Sequence, residues 1–200
     1  MSDLPTFDFW YEFASTYSYL SVARIETLAR QKGVLPIWKP FLLGPIFREQ
    51  GLADSPFNLF PVKGRYMWKD LERRCEKYGL PFQRPTIFPQ NGLRAARIAT
   101  LYCEEEWIHE FVRLVYKAEF ALGKDISQPI VLKEILNYLG QPDNEIFASG
   151  ESPAAKSLLR ENTEIAKSLG IFGAPSFIVK GELFWGDDRL EDAIEFLIRS

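Results

Sequence analysis

The 200-residue chain has two cysteines, Cys75 and Cys103, and no C-x-x-C pair. Paired-thiol redox chemistry therefore has no motif to use, and a cysteine zinc cluster is excluded as well. Each cysteine falls in an apolar pattern of helical spacing, Cys75 with Met67, Leu71 and Tyr78. Both read as reduced thiols that pack as small hydrophobes. Histidine is nearly absent. His109 stands among Glu104, Glu105, Glu106 and Glu110 and reads as a solvated residue on a helix, so no metal site is expected. No apolar run approaches the roughly 20 residues that cross a bilayer, and no membrane contact is expected. The opening Met1-Ser2-Asp3-Leu4-Pro5 lacks the basic and apolar regions of a signal peptide, which makes cytoplasmic residence the expectation. A net charge of -3 leaves no excess of Lys and Arg for a phosphate backbone, so nucleic acid is not an expected partner.

What the chain does have is enough apolar sequence, 46%, to bury a core, and a distinct order of periodicities. Residues 6–11 alternate and are rich in aromatics, as a strand is. Ser15 then opens a helical segment to about Arg30, with Tyr17, Leu20, Ala23 and Leu28 near one face. Val34 to Phe41 reads as a second strand, completing a right-handed βαβ unit. Residues 44–63 read as loop, with Pro45, Gly51, Pro56 and Pro61. Helices are predicted at 64–78, 91–105 and 107–121, then from Ser127-Pro129 and from Ser152-Pro153, where serine caps and proline takes the first turn. Strand signals return at 176–179 and 183–185 around Lys180-Gly181-Glu182, a hairpin, and Asp188 to Ile198 closes the chain as a helix. The predicted class is α/β: a thioredoxin-like fold with a large all-helical insertion between its βαβ and ββα halves. The expected division is a discontinuous domain of residues 1–42 and 165–200 around an insertion of residues 43–164.

Two places in this framework carry chemistry. Ser15-Thr16-Tyr17-Ser18 occupies the turn where disulfide oxidoreductases of this fold hold C-x-x-C. Unpaired N–H groups and the helix dipole favour an anion there. A serine cannot cycle through a disulfide, but its hydroxyl can donate a hydrogen bond to an external thiolate. Read alone, the turn favours an ordinary N-cap role for Ser15. The second place is Gly173-Ala174-Pro175-Ser176, where the fold sets a cis-proline opposite the active-site turn. Its bland alternative is a trans proline opening a strand. A cis bond there leaves the Ala174 backbone free to pair with an extended peptide ligand.

Four segments in order resemble the 2-hydroxychromene-2-carboxylate isomerases, relatives of the kappa-class glutathione transferases. Tyr11 to Leu20 resembles the family's F-D-x-x-S-P-x-S-Y-L opening, with Glu12 for aspartate and Thr16 for proline. Asn58 with Pro61 to Met67 resembles the loop entering the third helix, Gly173-Ala174-Pro175 the cis-proline segment, and Gly186 to Leu190 the G-x-D-R-L signature. The resemblance spans Phe7 to Leu197.

The resemblance implies glutathione as cofactor. Ser15 would hydrogen-bond its sulfur, and Ala174 with Pro175 would pair with its cysteinyl part. Asp187 and Asp188 would hold its γ-glutamyl end. Asn58 and Lys63 would hold the remaining charged end or the substrate carboxylate. The implied reaction is isomerisation of a small aromatic carboxylate without net redox change. The thiolate adds to a conjugated carbon, the bond rotates, and elimination follows. Lys63, Arg65 and Asn91 are candidates to stabilise the anionic intermediate, with surface solvation as their alternative. Trp10, Phe41, Phe60, Trp68 and Phe88 are candidates for an aromatic pocket. A homodimer is also implied. The rival readings are a kappa-type transferase or peroxidase with another electrophile, and a non-catalytic binding module.

Overall fold

A computed structural model describes residues 4–199; Met1 to Asp3, part of the segment searched for a signal peptide, lie outside the described residues. Strand β1 is Thr6–Tyr11, helix α1 is Thr16–Lys32 and strand β2 is Leu35–Pro40, with β1 and β2 parallel. At the far end of the chain, β3, Ser176–Val179, lies antiparallel to β1 and pairs with β4, Glu182–Trp185. The hairpin turn is two residues, Lys180 and Gly181, both at positive φ (51° and 84°), so Glu182 already belongs to the strand. The sheet order β2-β1-β3-β4 is the thioredoxin-like arrangement expected from the order of elements.

Alternation along β1 sends its aromatics to two cores. Phe7, Phe9 and Tyr11 join the larger one, where Phe9 stacks on Phe177 at 5.5 Å and meets the edge of Trp38 at 5.1 Å. Trp10 points the other way, into a smaller core with Phe41, Ile46, Ala166, Ile171 and Ala174. Phe9 is fully buried, and truncating it to alanine should cost about 3–5 kcal/mol.

Between β2 and β3 the chain is helical. It runs through α2 (Leu43–Glu49), α3 (Pro56–Leu59), α4 (Pro61–Tyr78), α5 (Leu93–Leu101), α6 (Ile108–Phe120), α7 (Pro129–Tyr138), α8 (Asp143–Gly150) and α9 (Pro153–Ser168). After β4 come one 3-10 turn, Asp187–Arg189, and α10, Leu190–Ile198. Helix α9 runs across position 165, and its Ala166 joins the core behind Trp10. No helix among the described residues is long and apolar enough to cross a membrane.

Several expectations are corrected in detail. Residues 44–63 are not simply loop: α2 and α3 form there, α3 on Ser55, whose hydroxyl accepts from the Phe57 N–H, and Pro56. Helix α5 stops at Leu101 rather than 105, because Glu104 to Glu106 would place three negative charges at the negative end of its dipole. Cys103 is accordingly exposed in a turn, not a packed helical thiol, whereas Cys75 is buried as expected; both are free. Ser127 does not cap α7, since its N–H is taken by Asp125 and Gln128 occupies the cap. Helix α8 was not foreseen, having one buried aliphatic, Ile146, although Asp143 and Glu145 in its first turn are a start signal. On α1, Ala23 is exposed and the buried face instead carries Leu20, Val22, Ile25 and Ala29 with Ser18 and Ser21, because this helix is covered on more than one side. His109 is not a free surface residue. Its ring stacks on Trp38 at 4.7 Å and its Nδ1 lies 3.1 Å from Glu26.

Candidate active site

The turn after β1 places Ser15 as the N-cap of α1. Its Oγ accepts from the Ser18 N–H at 3.2 Å and donates to the Ala174 carbonyl at 2.8 Å. That second bond joins the two segments singled out in the sequence, 159 residues apart. The Ala174–Pro175 peptide is cis. Ser15 and Ala174 are each 9% exposed, so each shows a small face to the outside. No acidic side chain lies in the first turn of α1, which leaves the positive end of the helix uncompensated beside Ser15.

That face opens into a cleft of about 1120 Å³. Of the candidates, Ser15, Lys63, Asn91, Ala174, Asp187 and Asp188 all line it. Pro175 stands directly behind Ala174 and is itself buried. Asn58 is outside the lining: its amide donates to Asp54 at 2.9 Å and to the Phe88 carbonyl at 3.1 Å, so it ties α3 to the loop before α5. Arg65 is exposed and also outside the lining. The Asn91 Oδ1 accepts from the Leu93 N–H at 3.0 Å just before α5, whose N-cap is Gly92. Lys63 is exposed, with its ammonium over the Phe60 ring at 4.9 Å.

Asp187 is the most heavily engaged side chain of the site. Ser21 (3.0 Å) and Arg24 (3.0 Å) donate to one carboxylate oxygen, Arg74 (3.3 Å) and Tyr78 (3.4 Å) to the other. Burial raises its carboxyl above the usual range, and the opposing pull comes chiefly from Arg24. Gly186, at φ 108°, makes the turn that delivers this side chain inward; a residue with a Cβ would be strained and would meet the Asp188 carboxylate. Asp188 points outward, half-exposed, and pairs with Arg189 at 3.1 Å.

The aromatic candidates divide. Phe88 lines the cleft, while Trp10, Phe41 and Trp68 are core and Phe60 is exposed on α3's end. Phe47, Phe57, Tyr66, Phe172 and Trp185 line it in their place. Phe172 and Trp185 are packed together at 4.9 Å, and Gly173 permits this, since a Cβ there would lie 2.3 Å from the Trp185 indole nitrogen. Phe47 and Phe57 were missed because they lie on helices too short to show a period, Phe172 and Trp185 because they lie on a loop and at a strand end, and Tyr66 because it faces outward on α4. Glu12 and Glu119 were missed as well. Glu12 lines the cleft, and burial pushes its carboxyl up to about 8 against the Ala14 N–H. Glu119 is wholly buried and its carboxyl is pushed well above the usual range by burial first, then by Glu12.

The sequence profile of the DSBA-like thioredoxin domain matches residues 6–197. The chain belongs to the DsbA-like thioredoxin family. Within that family, a 2-hydroxychromene-2-carboxylate isomerase of Sphingobium xenophagum is 29% identical over 96% of this chain and 98% of its own length. Glutathione S-transferase kappa 2 of Caenorhabditis elegans is 30% identical over 94% and 90%. A solved 2-hydroxychromene-2-carboxylate isomerase superposes with a TM-score of 0.87 at 26% identity, covering 97% of this chain and 96% of the other. Full-length similarity of this kind places the chain with the isomerases and kappa-class transferases. The turn that opens α1 reads Ser15-Thr16-Tyr17-Ser18, with serine at both ends and no cysteine.

Proposed function

We propose that the chain is a glutathione-dependent isomerase of a small aromatic carboxylate, converting 2-hydroxychromene-2-carboxylate to trans-o-hydroxybenzylidenepyruvate. The observation that carries this is the Ser15 hydroxyl, held at a helix N-terminus against Ala174 at the floor of a large, aromatic-walled cleft. A free thiol has a pKa of about 8.5, and lowering it by one unit requires roughly 1.4 kcal/mol. The Ser15 hydroxyl, turning from the Ala174 carbonyl to the sulfur when the thiol binds, would act with the helix N-terminus to supply that much. The bound thiolate adds to the conjugated carbon of the opened substrate, the former double bond rotates, and elimination returns the thiolate.

In this reading the Ala174 backbone pairs with the cysteinyl part of glutathione beside Pro175. Asp188 takes the γ-glutamyl amino group, with Asp187 fixing the turn that presents it through Arg24 and Arg74. Lys63 and Asn91, on the opposite wall, meet the substrate carboxylate and the charge that develops on it. Asn58 holds the loop that carries this wall. Two free thiols suit a reducing cytoplasm, and a homodimer completes the proposal.

Calorimetric titration with reduced glutathione tests the cofactor half. Wild type should bind one equivalent and release a proton, and Ser15→Ala should bind without that release. Ultraviolet assay of the chromene carboxylate, with and without glutathione, tests the reaction. The C. elegans relative supports a second reading, a kappa-class transferase. Turnover of halogenated aromatics but not of the chromene carboxylate would select it.

A further inference from the structure

Among the described residues, three cationic side chains line the cleft: Arg48, Lys63 and Arg74. Arg74 is committed, to Asp70 at 3.2 Å and to Asp187 at 3.3 Å. Lys63 is exposed and reaches the Phe60 ring. Arg48, in the last turn of α2, has no ion pair among the described residues. The acids that could answer it are already engaged. Glu49, its neighbour in sequence, pairs with Lys167. In the cleft, Asp54 accepts from the Ser55 N–H and from Asn58, Asp70 from Tyr17 and Arg74, and Asp188 pairs with Arg189. Asp187 has four donors of its own.

Two features hold the Arg48 head on the cleft wall. Helix α2 is pinned from behind, with Ile46 buried in the core around Trp10 and the Leu42 N–H, just before the helix, donating to Thr163 at 3.2 Å. The Arg48 side chain then folds back one turn over Gly44, which also lines the cleft: a Cβ at position 44 would have a guanidinium nitrogen of Arg48 as its nearest neighbour, at 3.7 Å. Glycine leaves this stretch of wall bare, so a ligand lying against it lies beside the guanidinium. Phe47, one residue earlier, lines the cleft as well. An unanswered cation beside an aromatic ring suits an anion with an apolar body. Guanidinium is a planar fork, more weakly hydrated than ammonium, and it holds a carboxylate through two parallel N–H···O bonds. Lys63 offers a strongly hydrated point charge instead.

We infer that Arg48 is the specificity-determining residue of the cleft, selecting an aromatic acid by gripping its carboxylate with the guanidinium fork while Phe47 meets the ring. The inference rests on the aromatic-carboxylate reading proposed above and names the residue that reads the charge. Lys63 adds only its screened attraction. The carboxylate keeps its charge throughout the reaction, so the grip is equal in the ground and transition states and acts on KM rather than kcat.

The test uses 2-hydroxycinnamate and its primary amide, two ligands of one shape that differ in charge and carry no ketone to react. Each is titrated calorimetrically into wild type, Arg48→Ala, Arg48→Lys and Lys63→Ala. Arg48→Ala should weaken the acid about tenfold and the amide by less than about twofold. Arg48→Lys keeps the charge but loses the fork, and should recover no more than about threefold of that loss. Lys63→Ala should weaken the acid only about threefold. Equal losses of acid and amide in Arg48→Ala would overturn the inference, because the side chain would then be no more than a piece of wall. A wild type that does not distinguish acid from amide would overturn it too, as would full recovery in Arg48→Lys or a larger loss of the acid in Lys63→Ala. The reaction proposed above fails separately. Arg48-dependent binding of the acid in a protein that leaves the chromene carboxylate unchanged would keep Arg48 and remove the reaction. Turnover of the chromene carboxylate with KM unchanged in Arg48→Ala would keep the reaction and remove Arg48.

Discussion

On the sheet side of the cleft, each polar group of the site is tied to a distant part of the chain. Ser15 is bonded to Ala174, Asp187 to Ser21, Arg24, Arg74 and Tyr78, and Glu12 to Tyr116. On the helical side, Lys63 reaches only its neighbour Phe60, Asn91 bonds the nearby Leu93 N–H, and Tyr66 and Val62 are largely exposed. The contrast separates two tasks. Charge must be stabilised by groups that do not reorganise as it develops, which favours the tethered wall. The aromatic substrate proposed here would have to enter and leave, which favours a wall of short helices and exposed side chains. Changes on the sheet side should therefore cost stability and chemistry together, and changes on the helical side should alter substrate affinity alone.

The largest effect is expected at Asp187. Replacing it with alanine leaves Arg24 and Arg74 facing a buried gap, and removing one partner of such a network costs roughly 3–5 kcal/mol. Urea unfolding would measure it. A loss below 1 kcal/mol would show that this wall is not held as described. Ser15→Ala comes next. Turnover should fall about a hundredfold, equivalent to about 2.7 kcal/mol of barrier. Loss of the cap should cost only about 1 kcal/mol of stability. A variant that unfolds instead of losing turnover would make Ser15 an anchor and nothing more.

Third in size is the pH dependence that burial of Glu12 imposes. Its carboxyl titrates near 8 in the fold against about 4.3 in the unfolded chain. The folded state therefore holds a proton that the unfolded state has released, and stability falls as pH rises between those values. The slope is about 1.4 kcal/mol per pH unit for one such group. Its contribution is complete below the lower value and is lost on passing the upper one. Glu12→Gln should flatten part of this slope in denaturant midpoints measured from pH 5 to 8, and a wild type equally stable at both ends would contradict it.

The same contrast explains what could be read from residues alone. The sheet-side site was legible because fold topology fixes it. A serine at the βα turn, a proline before the hairpin and an aspartate pair at the last helix each sit where chain direction changes, and such places leave local signals. Its supports were not legible. Arg24, Arg74 and Glu119 look like ordinary residues on helices, and only packing shows that the first two share one carboxylate and the third has no partner. The helical wall was read least well. Helices of four and seven residues, α3 and α2, are shorter than the window that reveals periodicity, so Phe47 and Phe57 could not be assigned a face. The aromatics singled out in the sequence fared accordingly: Trp10 and Trp68 sit on regular elements, Phe41 directly follows β2, and all three went to the core.

The smallest prediction sharpens the comparison most, because it isolates the loose wall. Lys63 lies in the first turn of α4, exposed, with no ion pair among the described residues. Its Coulomb attraction for a carboxylate is screened by water, so it cannot act as a fixed counter-charge in the way Arg24 does for Asp187. Lys63→Ala should leave the unfolding midpoint unchanged. KM for the aromatic acid should rise by about threefold with kcat unaltered, the signature of binding that is uniform between ground and transition states. The rise should shrink as salt is added. If kcat fell by an order of magnitude instead, Lys63 would be stabilising charge in the transition state. The division of labour between a tethered catalytic wall and an adaptable substrate wall would then fail at the one residue best placed to test it.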